Sequence, residues 1–185
     1  IIEMRQCQKI ETHSLFDGYI PPYEPFIPRY LRYGVKECTR PNGEVSVEVD
    51  PAELDAVLEK IRAEGCESVA VCFINSYLND ANECKVVDYI REKAPELYVT
   101  SSTKELPQMG EYKRFSTCVI SACLGPIVKK YLTDLENELK KLEFKGQLLI
   151  VQCNQYLQSI PAIIDKPVYL NNSGPSAGPV GAVRL

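Results

Sequence analysis

From Asp50 to Ser101 the apolar positions switch between two periods, and that switch predicts helices alternating with strands. Asp50-Pro51-Ala52-Glu53 carries the signals of a helix start: an acceptor at the N-cap, proline at the first helical position and glutamate at the third. Leu54, Val57, Leu58 and Ile61 follow at helical spacing, and Gly65 ends the segment. Ser68 to Ile74 is a continuous apolar run of strand length, which predicts burial on both faces. Asp80 and Glu83 open a second helix with Val87 and Ile90 inward, closed before Pro95, and Leu97 to Ser101 reads as another short strand.

A long helical pattern then runs from about Glu111 to Leu142. Leu124, Ile127, Tyr131, Leu135, Leu139 and Leu142 make one stripe, with Glu136 and Lys140 as an i,i+4 pair outside it. Gly125-Pro126 interrupts the pattern and predicts a kink or a division. Strands are expected at Gln147 to Gln152 and at Val168 to Leu170, the second feeding a helix of small residues, Ser173 to Ala182. Strands alternating with helices predict an α/β fold with a layered, mainly parallel sheet over residues 50–185.

Residues 1–49 have a different texture. Gly18 to Pro28 holds four prolines among aromatic and aliphatic residues, so it can be neither a helix nor a central strand. It is expected to lie extended over a surface with Tyr19, Tyr23 and Phe26 as anchors, since the interleaved Ile and Phe favour burial over a role as a proline-rich ligand. Tyr30 to Val35 and Val45 to Val49 are expected to pair around Pro41-Asn42-Gly43.

Composition narrows the function classes. A net charge of −4 argues against an electrostatic nucleic-acid binder, which carries a basic face. The clusters Lys113-Arg114 and Lys129-Lys130 are offset by nearby acids and read as solvated helix faces. No run approaches the roughly 20 apolar residues of a membrane span. Ile1-Ile2-Glu3-Met4-Arg5 has no leader character and no initiator methionine, which fits an internal segment of a longer chain. The eight cysteines include no C-x-x-C pair and the one histidine is His13, so no structural zinc site is expected. Scattered thiols such as Cys72, within an apolar run, point to a reducing cytoplasm.

Chemistry-bearing candidates are few. His13 lies in a polar stretch with no serine or cysteine to pair with, and reads as solvated or capping. Glu105, Glu111 and Asp17 are possible acids or bases that no spacing singles out. The chain has neither G-x-x-x-x-G-K-[ST] nor G-x-G-x-x-G, hence no phosphate cradle of its own. Two places remain. Gln152-Cys153-Asn154 ends a strand in polar residues, either at a ligand-presenting sheet edge or in a simple Asn turn. The segment Asn171 to Gly181 offers either a helix N-terminus with free backbone donors or a stripe for close helix packing.

Taken in order, Gly18-Tyr19-Ile20-Pro21-Pro22, Val69 to Tyr77, Leu106-Pro107 with Glu111 to Thr117, Gly125-Pro126 and Ser173 to Gly178 resemble the hydantoinase A/oxoprolinase family over nearly the whole chain. That family includes ATP-dependent N-methylhydantoinases, 5-oxoprolinases and the acetone and acetophenone carboxylase subunits. The resemblance implies an actin-like ATPase (ribonuclease H-like) fold, shared with sugar kinases and heat-shock chaperones. It implies two Asp-x-Gly-Gly-Thr phosphate loops, one upstream of Ile1 and one shortly after Leu185.

By the same resemblance, Ser173, Gly174, Pro175, Ser176 and Gly178 belong to the helix before the second loop, and with Asn154 lie near the nucleotide or interdomain cleft. ATP and Mg²⁺ would serve the intact protein in activating a cyclic amide, hydantoin or 5-oxoproline, by phosphorylation before hydrolysis; a ketone carboxylase subunit or a non-catalytic assembly module is the alternative. No metal site and no turnover are expected of this chain alone. Partners would be the remaining domains and a second, hydantoinase B-type subunit. Two departures mark a divergent branch. Cys153-Asn154-Gln155-Tyr156 stands where Ser-Asn-Gly-Gly is common, and Asn82 stands where a histidine is frequent.

Overall fold

A computed structural model describes residues 25–183, apart from the side chains of 180, 181 and 183. Tyr19, Tyr23, His13, Asp17 and Cys7 fall outside the described residues. Phe26, expected as an anchor, is 70% exposed and stands at the mouth of a groove. A short 3-10 helix, Arg29–Leu31, follows where a strand was expected from Tyr30. The hairpin does form, but with Cys38–Thr39 (β1) against Val45–Val47 (β2), antiparallel and with a bulge between Cys38 and Thr39. Gly43 sits at φ +84° in its turn, and Asn42 Oδ1 accepts from the Glu44 amide at 3.0 Å.

Helix α1 (Pro51–Ala63) begins where its cap signals place it: Asp50 Oδ1 accepts from Ala52 N at 3.0 Å. Leu54, Leu58 and Ile61 are buried from its inner face, and Gly65 turns the chain at φ +65°. Strand β3 (Ser68–Val71) pairs in parallel with β4 (Tyr98–Ser101), with α2 (Ala81–Lys93) as the crossover. Val86, Val87, Ile90, Val71 and Val99 join the α1 residues in one core.

After the four-residue α3 (Ser102–Glu105) comes α4 (Glu111–Lys141), a single helix of 31 residues with Pro126 inside it. The expected division at Gly125-Pro126 does not occur. Glycine is required there for another reason: a Cβ on Gly125 would overlap the Tyr98 ring. The expected stripe is also corrected, for Ile127 and Tyr131 are 67% and 63% exposed. The buried line runs Arg114, Cys118, Ser121, Ala122, Gly125 and Leu132. Small side chains let this helix sit close on β3 and β4, and the bulkier residues are turned away.

The C-terminal part is built around Leu132, Ile160 and Ile163. Strands β5 (Leu149–Val151) and β6 (Leu157–Ser159) form an antiparallel hairpin, followed by α5 (Ile160–Asp165), a 3-10 helix (Pro167–Leu170) and α6 (Ser173–Val183). The strand expected at Val168 to Leu170 is thus a 3-10 turn. Pro167 fixes its first φ, and Tyr169 N and Asn171 N bond three residues back. The α/β class holds, but the layered, mainly parallel sheet does not. Among the described residues the strands form three two-stranded sheets, and one of them, β3–β4, is parallel.

The expectation of a β3 buried on both faces also fails: of its four residues Val71 alone is buried, and Ile74 beyond it is 56% exposed. Beside it opens an apolar groove of about 680 Å³, walled by Leu54 and Val57 of α1, Val69 of β3, and Phe115 and Val119 of α4.

Candidate functional site

The β5–β6 turn, α5 and the 3-10 helix enclose a polar cleft of about 370 Å³. Local sequence explains its walls. Gln152 N donates to Tyr156 O at 2.9 Å and Gln155 N to Gln152 O at 2.9 Å, which closes the turn. Asn154 Oδ1 accepts from Tyr156 N at 3.2 Å, an Asx-type lock. Cys153 N donates to Tyr169 O at 2.7 Å, binding the turn to the 3-10 helix. Gln152, Asn154, Gln158, Asp165, Lys166 and Tyr169 line this cleft. Asn154 therefore occupies an Asn turn and also lines a cleft.

Behind the cleft lies a second polar layer. Lys104 Nζ donates to Asp165 Oδ1 and joins α3 to α5. Glu105 is 2% exposed; its Oε1 accepts from Thr100 Oγ1 at 2.6 Å, while its Oε2 and the Ser121 hydroxyl complete no hydrogen bond. Burial pushes the Glu105 carboxyl up, against the opposing pull of the Thr100 hydroxyl and the charges of Lys104 and Lys166. Tyr98 donates to Ile164 O at 3.1 Å, and burial followed by the charges of Glu105 and Asp165 pushes its hydroxyl up. Of the acids read from sequence, Glu105 is the one the fold sets apart. Glu111 lies 3.5 Å from the Arg114 guanidinium at a helix start.

A buried charge network ties β3, α2, α3 and α4 together. Glu83 accepts at one carboxylate oxygen from Phe73 N (2.9 Å), Ser76 Oγ (2.9 Å) and Ser102 Oγ (2.5 Å), and at the other from Thr103 N and Oγ1. Arg114 donates to Ser102 Oγ, Gln108 O and Phe73 O, and its guanidinium lies against the Tyr77 and Phe115 rings. The sequence reading gave Glu83 a helix-start role and Arg114 a solvated face; both are fully buried. Buried charges persist only with partners on most of their polar atoms, and here each has at least three. Ser76-Tyr77 and Arg114-Phe115, which carry part of the resemblance, are thus the fastening of the fold. Asn82, the other departure, donates to Glu37 Oε2 at 3.1 Å and Val47 O at 3.0 Å and ties α2 to the β1–β2 hairpin.

The small-residue helix α6 packs beside β5. Ser176 Oγ donates to Asn172 O at 2.9 Å, and Asn172 sits at φ +59° just before the helix. A Cβ added at Gly174 or Gly178 would meet nothing within 4 Å. The close-packing reading of this stripe is therefore not realised among the described residues. Ser173, Gly174, Pro175, Ser176 and Gly178 do not line the cleft that Asn154 lines. Among the described residues no three His, Cys, Asp or Glu side chains come together to hold a metal, and no helix is long and apolar enough to cross a membrane.

Residues 2–94 match the hydantoinase/oxoprolinase N-terminal region, and residues 114–185 match the hydantoinase/oxoprolinase family. An uncharacterized protein of Methanocaldococcus jannaschii is 31% identical over 90% of this chain and 25% of its own length. The caprolactamase subunit alpha of Pseudomonas jessenii is 27% identical over 96% of this chain and 25% of its own. The crystal structure of the ATP-dependent caprolactamase from that organism superposes with a TM-score of 0.75 at 25% identity, covering 91% of this chain and 25% of that one. The chain spans about a quarter of the length of these relatives.

Proposed function

This chain belongs to the hydantoinase/oxoprolinase family, and from that premise we propose that it works as one segment of an ATP-dependent enzyme that opens a cyclic amide of the hydantoin or 5-oxoproline class. The observation that carries the reading is the superposition of 91% of the chain on an ATP-dependent caprolactamase. On this reading residues 1–49 would be an arm and hairpin and 50–185 an α/β domain within an actin-like ATPase fold. The apolar groove beside β3 supports the same view: it exposes aliphatic and aromatic walls of a kind that further chain buries.

The residues present suit the rim of a nucleotide site and not its phosphate cradle. Open space over Gly174 and Gly178 leaves room for a polar group at the start of α6, where Ser173 and Gly174 present backbone donors. Ser173, Gly174, Pro175, Ser176, Gly178 and Asn154 would border the nucleotide or interdomain cleft. Bound Mg-ATP would supply the phosphoryl group that activates the amide oxygen toward hydrolysis. The segment's own task is to hold α6 against β5 and, through the Glu83–Arg114 network, to keep β3, α2, α3 and the start of α4 fastened together. The remaining domains and a second, hydantoinase B-type subunit are its partners.

Titration of the longer subunit with Mg-ATP, followed by calorimetry, tests this reading. Saturable binding is expected, with none by the 185-residue chain alone. A longer subunit that ignores the nucleotide would make the chain part of a non-catalytic assembly module.

A further inference from the structure

The seam between β3 and α4 holds two thiols at one level of the fold. Val69, Val71 and Phe73 pack into the core under α1 and α2. The alternation of an extended chain therefore turns Ala70 and Cys72 to the other side, toward α4. On α4 the line that meets β3 and β4 is the small-residue one, Cys118, Ser121, Ala122 and Gly125. Cys118 is fully buried there, its Sγ 3.8 Å from Val71 O and 3.9 Å from Thr100 O. Val71 O belongs to the peptide unit that leads into Cys72. The neighbouring Cys72 thiol, followed by burial, pushes the Cys118 thiol up, so Cys118 stays protonated.

Access to the pair is one-sided. Cys72 is half-buried and lines the apolar groove, whereas Cys118 lies behind it and is not part of the groove wall. A small uncharged oxidant can enter such a groove, and it meets Cys72 first. Cys66 and Cys123 also border the groove. Cys66 lies before β3 and Cys72 after it, however, and Cys123 stands more than one turn beyond Cys118 on α4, exposed. A solitary buried thiol packs as a small hydrophobe, but a reachable thiol backed by a second one is the arrangement of an oxidisable and a resolving cysteine.

We propose that Cys72 and Cys118 are a peroxide-sensitive dithiol, in which Cys72 is oxidised first and Cys118 resolves it to a disulfide that staples β3 to α4. The Cys72 sulfur attacks one oxygen of hydrogen peroxide and the O–O bond breaks, giving a sulfenic acid and one water. The Cys118 sulfur then attacks the Cys72 sulfur and the S–O bond breaks; the hydroxyl leaves with the Cys118 proton as a second water. The two thiols are oxidised and the peroxide is reduced. The new bond closes a loop that holds α2, β4 and α3, which restricts the unfolded chain and stabilises the fold. The pair stands whether or not the nucleotide reading does.

The test treats the 185-residue chain with hydrogen peroxide, folded or in urea, blocks the remaining thiols with iodoacetamide and maps the peptides by mass spectrometry. In the folded chain a Cys72–Cys118 linked peptide should be the main product, reversed by dithiothreitol. The melting temperature of the linked form should stand about 5–10 °C above that of the reduced form. Cys118→Ala should abolish the link and leave a Cys72 sulfenic acid that dimedone traps. Cys72→Ala, at a half-buried side chain, should also abolish it and keeps the test open if the first variant misfolds. Cys66→Ala and Cys123→Ala should form the link at the parent rate, and in urea the pairing should scatter over the other cysteines. No Cys72–Cys118 peptide from the folded chain, pairing of Cys72 with Cys66 or Cys123 in its place, an equal yield in urea, or a lower melting temperature of the linked form would each overturn the proposal.

Discussion

Glu83 and Arg114 are both fully buried, and the hydroxyl of Ser102 joins them, donating to Glu83 Oε1 at 2.5 Å and accepting from Arg114 Nε at 3.0 Å. Each charge is held partly through that bridge and partly by backbone groups at Phe73, Thr103 and Gln108. Removing one member leaves the other's charge in the interior. Arg114→Met and Glu83→Gln should each cost about 3–5 kcal/mol in urea unfolding, and Ser102→Ala about 1–3 kcal/mol. The double variant Glu83→Gln/Arg114→Met should lose well under the sum of the two. Strict additivity would show that the network is a set of independent contacts.

Gly125 and Tyr98 form a second fitted pair. The Tyr98 ring lies where a side chain at 125 would stand, and its hydroxyl reaches Ile164 O at 3.1 Å. Gly125→Ala forces the α4 backbone off β4 and should cost about 1–3 kcal/mol despite the better helix propensity of alanine. In a Tyr98→Leu background the same change should cost far less. A neutral Gly125→Ala in the parent chain would mean that the helix yields freely at Pro126.

For Glu105 the direction of the pH effect follows from burial. Its folded-state carboxyl is raised above the ordinary 4.5, so the folded chain holds that proton more tightly than the unfolded chain does. The resulting stabilisation is complete below 4.5 and is lost as pH climbs through the raised value. Glutamine cannot ionise, and its amide can donate to the unsatisfied Ser121 hydroxyl while its oxygen keeps the Thr100 bond. Glu105→Gln should therefore be more stable than the parent at pH 7, by about 1 kcal/mol, with the gain shrinking as pH falls toward 4.5. Denaturation midpoints across that range decide it; a Gln variant weaker at pH 7 would show that the carboxylate is needed as an anion.

Gln155 occupies φ +70° in the β5–β6 turn, a backbone region that favours glycine. The resemblance places glycine there in relatives, and the turn geometry supplies the reason. Gln155→Gly should raise stability by about 0.5–1 kcal/mol, read as a shift in melting temperature. A loss on substitution would mean that the exposed glutamine side chain makes contacts outweighing its strained backbone.

Elements with local signals were legible in the sequence, and those set by distant packing were not. Asp50-Pro51 marks a helix start by capping chemistry alone, and Asp50 Oδ1 does accept from Ala52 N. The face of α4 depends on what lies under it, and hydrophobicity pointed to Ile127 and Tyr131 when the contact surface is Cys118, Ser121, Ala122 and Gly125. Val168-Tyr169-Leu170 was too short to separate a strand from a 3-10 turn, and Pro167 decided it. At the candidate site Asn154 could be read from its turn chemistry. Gln152 could be read with it, at the polar end of a strand, but Lys166 and Tyr169 carry no local signature, because only folding brings α5 and the 3-10 helix up to the β5–β6 turn.

The proposed role of this chain is service in an ATP-dependent enzyme acting on cyclic amides. The most direct measurement is ADP release by the longer subunit with its partner subunit, in Mg-ATP, with and without hydantoin, 5-oxoproline or caprolactam. ADP release is expected to depend on one of these rings and to match ring opening one for one, with none from the 185-residue chain alone. Ring opening without nucleotide, or turnover by the isolated chain, would contradict it.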